Sequence, residues 1–167
     1  MAFLPIPDHV YQKVTDIDPE ELRSRGIRLL LADLDNTLTR YHQKDPDPEV
    51  VAWRGRLQSA GIELFLLSNS RRPTRVSHYA EALELPVLGH ANKPSRKGYR
   101  AAMERMGCAP EATAMVGDQI FTDILGAKRA GVLALLVEPM ELAGNVGRYL
   151  RYIAETPFRA AGKRRNE

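Results

Sequence analysis

Short apolar runs separated by amphipathic stretches constrain this chain more than any other feature. The runs are Ile27 to Ala32, Ile62 to Leu67, Pro86 to Leu88, Ala112 to Val116 and Val132 to Val137, each of a length that suits a buried strand. Between them Pro48 to Ala60, Pro73 to Leu83, Pro94 to Met106 and Thr122 to Ala130 read as helices. Several have a proline near the first turn, where its missing N–H does no harm. Gly61, Gly107 and Gly131 follow helical stretches, where a left-handed C-terminal cap favours glycine. Alternation of this kind implies a parallel sheet covered by helices on both faces, because right-handed crossovers must pass over it.

The 167 residues suit one domain with a core that needs neither disulfides nor structural metal. Within it we expect an N-terminal extension over 1–26, a catalytic core over 27–140, and a C-terminal helix with a basic tail over 141–167. A hydrophobic fraction of 44% and a charged fraction of 27% are ordinary for a globular chain and argue against disorder. Cys108 is the only cysteine, which excludes an internal disulfide and a multi-cysteine zinc site and fits a reducing, cytoplasmic setting. Met1 to Val10, with Pro5, Pro7 and Asp8, lacks the pattern of a secretory signal, and no segment approaches transmembrane length. The net charge of +3 is uneven: Arg148 to Glu167 holds six Lys/Arg against two Glu. Such an end is either a solvated tail or a contact for an anionic surface, and composition does not choose between them.

Open parallel sheets bind ligands beyond the carboxyl ends of their strands. The residues there are Asp33, Asp35, Asn36 and Thr37 after the first run, Ser68, Asn69 and Ser70 after the second, and Gly117 and Asp118 after the fourth, with Lys93 a few positions beyond the third. Asp33 and Asp35 are two apart, so an extended backbone directs both carboxylates to one side. Alone, Asp35-Asn36-Thr37 also reads as a turn, Thr122 or Asp123 as a helix cap, Ser68 as a turn residue and Lys93 as a solvated lysine. Together, Asp33 and Asp118 form a hard oxygen set suited to Mg²⁺. Ser68 and nearby N–H groups are placed to donate to a phosphoryl oxygen, and Lys93 to offset its charge.

Asp33-x-Asp35-x-Thr37, Ser68, Lys93 and Gly117-Asp118-x-x-x-x-Asp123 occur in the order of the four motifs of the haloacid dehalogenase superfamily, which the chain resembles over most of its length. The fuller strings are similar to subfamily IIIA phosphatases of YqeG type, a group similar to mitochondrial phosphatidylglycerophosphate phosphatases. The resemblance implies an α/β, Rossmann-like three-layer sandwich with a five-stranded parallel sheet in the order 5-4-1-2-3 and no large cap domain. It implies Asp33 as nucleophile and Asp35 as general acid/base, with the Asp35 main-chain carbonyl also on the metal. It further implies Asp118 as metal ligand, and Asp123 as a support for the metal's waters or for Lys93. Ser68, Asn69 and Lys93 are expected to bind the substrate phosphate, with Thr37 in support.

An acid at Asp35 favours a phosphatase or mutase over a dehalogenase. The short spacings, 35 positions from Asp33 to Ser68 and 25 from there to Lys93, leave little room for the cap a mutase needs. The expected activity is Mg²⁺-dependent phosphomonoester hydrolysis through an aspartyl-phosphate. The first substrate expectation is phosphatidylglycerophosphate; the alternatives are soluble sugar or nucleotide monophosphates, or a non-catalytic binding module. A nucleic-acid partner is not expected, since no aromatic stacking pattern accompanies the basic excess. Peripheral contact with an anionic membrane would draw on Phe3-Leu4-Pro5-Ile6 and on Arg159, Lys163, Arg164 and Arg165.

Overall fold

The expected strand and helix patterns assemble in a computed structural model that describes residues 3–166. The runs become β2 (Leu29–Ala32), β3 (Glu63–Leu67), β4 (Val87–Leu88), β5 (Thr113–Gly117) and β6 (Leu133–Val137). The amphipathic stretches become α2 (Pro48–Ser59), α3 (Pro73–Ala82), α4 (Arg96–Met106) and α5 (Leu125–Ala130). Strand and helix ends shift by a residue or two, and two of the differences bear on the site. Helix α4 starts two residues after Pro94, with Ser95 as its cap accepting the Lys97 N–H. The stretch expected as one helix from Thr122 opens instead with a π turn over Ile120–Ile124 before α5. Gly107 and Gly131 occupy the left-handed cap position as expected.

All strand pairs are parallel, and the sheet order is β1-β6-β5-β2-β3-β4. The five-stranded order expected from the resemblance is embedded in this arrangement, but the count requires correction. A sixth strand, β1 (His9–Tyr11), joins the edge from the segment expected as an extension, pairing His9, Val10 and Tyr11 with Leu135, Leu136 and Val137. Asp8 secures the junction. Its backbone N–H donates to Ala134 O at 2.8 Å while its carboxylate accepts the Ala134 N–H at 2.9 Å and pairs with Lys128. A three-residue strand carries too short a pattern to be read locally; its pairing partner, more than 120 positions away, makes it a strand. Helix α1 (Pro19–Ser24) also lies in this segment and does have a local signature, with Asp18 capping the Glu20 N–H and Pro19 in the first turn.

Both faces of the sheet are buried, which explains the unbroken apolar runs. Along β2, Leu30 and Ala32 face one core with Trp53, Leu57, Val76 and Tyr79 from α2 and α3. Leu29 and Leu31 face the other with Tyr99, Met103, Ile124 and Ala127 from α4, the π turn and α5. Trp53 is fully buried and its indole N–H donates to Ile17 O at 2.9 Å, tying the segment before β2 to α2. Because every strand runs the same way, the loops at their carboxyl ends gather along one edge. This is the edge on which the acidic residues lie.

Candidate active site

The turn after β2 presents the first two carboxylates. Leu34 O accepts the Leu38 N–H at 3.0 Å, and Asn36 takes a positive φ of 59° while its N–H donates to Thr39 O at 2.7 Å. Asparagine tolerates that conformation better than most side chains. The turn reading of Asp35-Asn36-Thr37 is therefore correct, and it serves to aim Asp33 and Asp35 into one cavity of about 300 Å³, shared with Asn69, Ser70, Arg148 and Arg151.

Lys93 links the parts. Its Nζ donates to Asp33 Oδ1 at 2.9 Å and to Asp123 Oδ1 at 2.7 Å, with only 1% of its side chain exposed, so the solvated reading fails. Burial alone would lower its pKa, but the carboxylates of Asp123 and Asp33 outweigh that and hold the ammonium charged, above its usual range. Asn69 positions this lysine through both ends of its amide: Oδ1 accepts the Lys93 N–H at 2.9 Å and Nδ2 donates to Lys93 O at 3.0 Å. Ser68 is buried at the end of β3, and its Oγ accepts the Ser70 N–H at 3.0 Å.

Asp118 and Asp123 complete the cluster from the end of β5. Asp123 Oδ2 accepts the Gln119 N–H at 3.2 Å, so it closes its own turn and also holds Lys93. A Cβ at Gly117 would sit 2.2 Å from that same Oδ2, so only glycine fits there without moving the carboxylate. Thr37 Oγ1 donates to Asp118 Oδ1 at 3.4 Å. One oxygen each from Asp33, Asp118 and Asp123 lies within 4.8 Å of the others, and all three residues are buried. Three buried carboxylates thus gather at one point, two of them, Asp33 and Asp123, sharing the Lys93 ammonium. Burial, then the charges of Asp33 and Asp123, push Asp118 well above the ordinary carboxylate range, and burial foremost raises Asp123 to about 6. A buried set of hard oxygens carrying surplus negative charge is the environment that suits Mg²⁺.

Residues that sequence reasoning missed surround this centre. Arg75 Nη1 lies 2.6 Å from Asp35 Oδ1. Burial still raises Asp35 above its ordinary value, with Arg75 opposing and the Asp33 charge adding to the rise. Tyr41 has the Arg72 guanidinium 4.0 Å and the Arg148 guanidinium 5.1 Å from its ring centroid. Tyr41 also borders a wider cavity of about 810 Å³ lined by Lys44, Arg72, Arg75 and His78. No carboxylate lines that space, whereas Asp33 and Asp35 line the smaller one. The Arg71-Arg72-Pro73-Thr74-Arg75 string after β3 was the available signal.

Arg159 requires a correction. Expected in a membrane-facing basic cluster, it is 4% exposed on α6 (Val146–Lys163), pairs with Glu155 at 3.0 Å and Glu138 at 3.5 Å, and donates to the Asp118 carbonyl. Glu155 accepts the Phe121 N–H at 3.2 Å, so α6 holds the Asp118 loop from outside. Lys163 lies 3.1 Å from Glu138 and Arg165 3.6 Å from Asp8. Both are thus engaged with the protein's own acids.

Tyr99 supports the same loop from the core, donating to Asp123 O at 2.9 Å. A Cβ at Gly126 would lie 2.4 Å from the Tyr99 hydroxyl oxygen. Gly126→Ala should therefore cost about 1–3 kcal/mol through overpacking, read as a lower urea midpoint at unchanged slope. An unchanged midpoint would show that the close approach is not a constraint.

The parallel sheet, with its acidic residues gathered at the carboxyl edge, defines an α/β architecture built to hold a polar ligand there. Residues 11–131 match the family described as haloacid dehalogenase-like hydrolase, and the chain belongs to that family. It is 31% identical over 149 residues to the protein named "Probable phosphatase YqeG" of Bacillus subtilis, covering 89% of this chain and 86% of that protein. It is 30% identical over 150 residues to the chloroplastic phosphatidylglycerophosphate phosphatase 1 of Chlamydomonas reinhardtii, covering 85% of this chain but 56% of that protein. A haloacid dehalogenase-like hydrolase structure from Bacteroides fragilis superposes with a TM-score of 0.53 over 70% of this chain and 90% of the other, at 15% identity, a likeness of fold alone. Family and relatives together support a phosphatase, with phosphorylated compounds as its substrates.

Proposed function

We propose that this phosphatase is Mg²⁺-dependent, works through an aspartyl-phosphate on Asp33, and acts on the phosphomonoester of an anionic lipid, phosphatidylglycerophosphate being the first candidate. The observation that carries the catalytic part is the buried group of Asp33, Asp118 and Asp123, with the Lys93 ammonium paired to Asp33 and Asp123. Asp33 is the carboxylate of that group that also opens into the 300 Å³ cavity. It forms a bond to phosphorus as the ester P–O bond breaks, and the departing alkoxide takes a proton from Asp35. Water then attacks the phosphoryl group on Asp33 and gives a proton to Asp35, releasing phosphate and restoring both carboxyls. The raised Asp35 pKa favours keeping the proton needed for the first half. Mg²⁺, held by Asp33, Asp118 and the Asp35 carbonyl, would supply charge neutralisation at the phosphoryl oxygens. Lys93 does the same for the nucleophile, and Ser68 and Asn69 complete the phosphate contacts.

The guanidiniums of Arg72, Arg75, Arg148 and Arg151 around the two cavities favour a substrate with a second anionic group beside the one hydrolysed. A phosphodiester-linked lipid headgroup has one. The test is phosphate release from phosphatidylglycerophosphate, glycerol phosphate, sugar phosphates and nucleotides, with Mg²⁺ and after chelation. Equal efficiency on the soluble esters would remove the lipid, and full activity after chelation would remove the metal.

The metal part makes a separate prediction about stability. Because folding raises the Asp118 pKa, the native state binds more protons than the unfolded one. The stability of the metal-free protein therefore falls as pH rises from the ordinary carboxylate range through the raised value. Asp118→Asn should melt higher than the parent at pH 8 without metal, with the gap closing towards pH 5. Mg²⁺ should raise the parent's melting temperature and barely move the variant's. A variant stabilised by Mg²⁺ as much as the parent would rule out Asp118 as a ligand.

A further inference from the structure

Helix α6 leaves an apolar stripe on its outer face. Its buried residues are Glu155, Arg159 and Gly162, while Val146, Tyr149, Leu150 and Ile153 are 76%, 54%, 59% and 50% exposed. These four are spaced i, i+3, i+4 and i+7, so they form one continuous stripe on the outer face, which Ala154 and Pro157 extend. The inner face mixes charge and packing: Arg159 and Glu155 bind the Asp118 loop, while Phe158 packs on the core beside Phe121. Nothing within the described residues covers the outer one.

The stripe begins at the mouth of the site. Val146 lies between Asn145 and Gly147, which line the 300 Å³ cavity with Asp33 and Asp35, as do Arg148 and Arg151 one turn on. A surface meeting the stripe thus meets the opening to the carboxylates as well.

We infer that the outer face of α6 is a membrane-docking face that seats Val146, Tyr149, Leu150 and Ile153 in the interface of an anionic bilayer and presents lipid headgroups to the adjacent cavity. The inference deepens the lipid-substrate reading and rests on it for what the cavity then receives. Two features favour a bilayer over a second copy of the chain. The stripe is one helix wide and exposes a few hundred Å², short of the ~800 Å² each partner buries in a stable dimer. A two-fold contact would also bring Arg148 and Arg151 of both copies together, whereas an anionic surface complements them. An apolar stripe flanked by arginines is the pattern of a helix lying in an interface. No helix among the described residues is long and apolar enough to cross a membrane.

The experiment is flotation of the full chain with phosphatidylglycerol–phosphatidylcholine vesicles and with phosphatidylcholine alone, without substrate. The parent should float with the anionic vesicles and much less with the neutral ones. The Leu150→Glu/Ile153→Glu pair should partition at least ten-fold more weakly, with melting temperature and turnover of para-nitrophenyl phosphate unchanged. Tyr149→Glu provides a second, single-site version. The inference is overturned if the parent ignores anionic vesicles, or if the variants float as it does. It is equally overturned if the parent sediments as a dimer that these substitutions dissociate. Flotation is read without turnover, so a protein that floats but releases no phosphate from phosphatidylglycerophosphate refutes the substrate reading and leaves the docking face standing.

Discussion

Asp33→Asn should abolish phosphate release while leaving the protein folded. The amide keeps the shape of the carboxylate but lacks the charge and lone-pair strength to attack phosphorus. Once the nucleophile is gone the neighbouring acids cannot replace it, because Asp118 and Asp123 are buried behind it and Asp35 is held by Arg75. A loss on the order of 10⁴-fold or more is expected, since the proposed mechanism divides the reaction at a covalent phosphoryl group on Asp33. Stability should change in the opposite direction: removing one of several buried negative charges relieves repulsion on Asp118 and Asp123. The metal-free variant should accordingly melt no lower than the parent at pH 8. The measurements are Mg²⁺-supported phosphate release and a melting curve. Near-normal turnover in a folded variant would falsify the aspartyl-phosphate assignment.

Lys93→Met should damage both activity and stability. It removes the ammonium that holds Asp33 and Asp123 while keeping most of the side-chain volume, leaving two buried carboxylates without their partner. Breaking a buried pair from one side costs about 3–5 kcal/mol. The cost should depend on pH in a stated direction. Asp123 already titrates at about 6 with the lysine in place; without it the carboxyl is easier still to protonate, and a neutral acid needs no partner. Urea titrations should therefore show the full loss at pH 8 and a smaller one at pH 5. Activity should be lost at both. Lys93→Arg should not rescue it, because the larger, planar guanidinium would have to occupy a site where only 1% of the lysine side chain is exposed. Equal destabilisation at the two pH values would mean that packing, not charge, is what Lys93 contributes.

The two lines of chemistry differ in how far they could be read before folding. Asp33 and Asp35 were legible because a spacing of two in extended chain sends both side chains the same way. Ser68 and Asp118 were legible because each follows an apolar run. A parallel sheet brings those run ends together whatever the details of packing, so local patterns sufficed to nominate the site. Asp123 reads as a helix cap and as a support for the metal's waters or for Lys93. It lies inside the π turn rather than at a cap position, and it accepts the Gln119 N–H and the Lys93 ammonium with different oxygens.

Other features had no local signature. Tyr11 and Val137 pair across 126 positions, and nothing in a three-residue segment announces that partner. Arg159 looked like one of four basic residues near a terminus, yet its environment is set by Glu155, Glu138 and the Asp118 carbonyl, the last 41 positions away. Arg75 reaches Asp35 across 40 positions. Helix α6 is the sharpest case: periodicity alone would turn its apolar face inward, and the structure turns it outward. The outcome depends on which face finds partners, and the charged face found the loop that holds Asp118. Sequence patterning thus settled the alternation of strands and helices and placed the candidate residues at the strand ends, because periodic burial and short spacings are local properties of the chain. Tertiary structure alone decided the sixth strand, the partners of Arg75 and Arg159 and the exposed face of α6, because each is an energy shared between residues that only folding brings together.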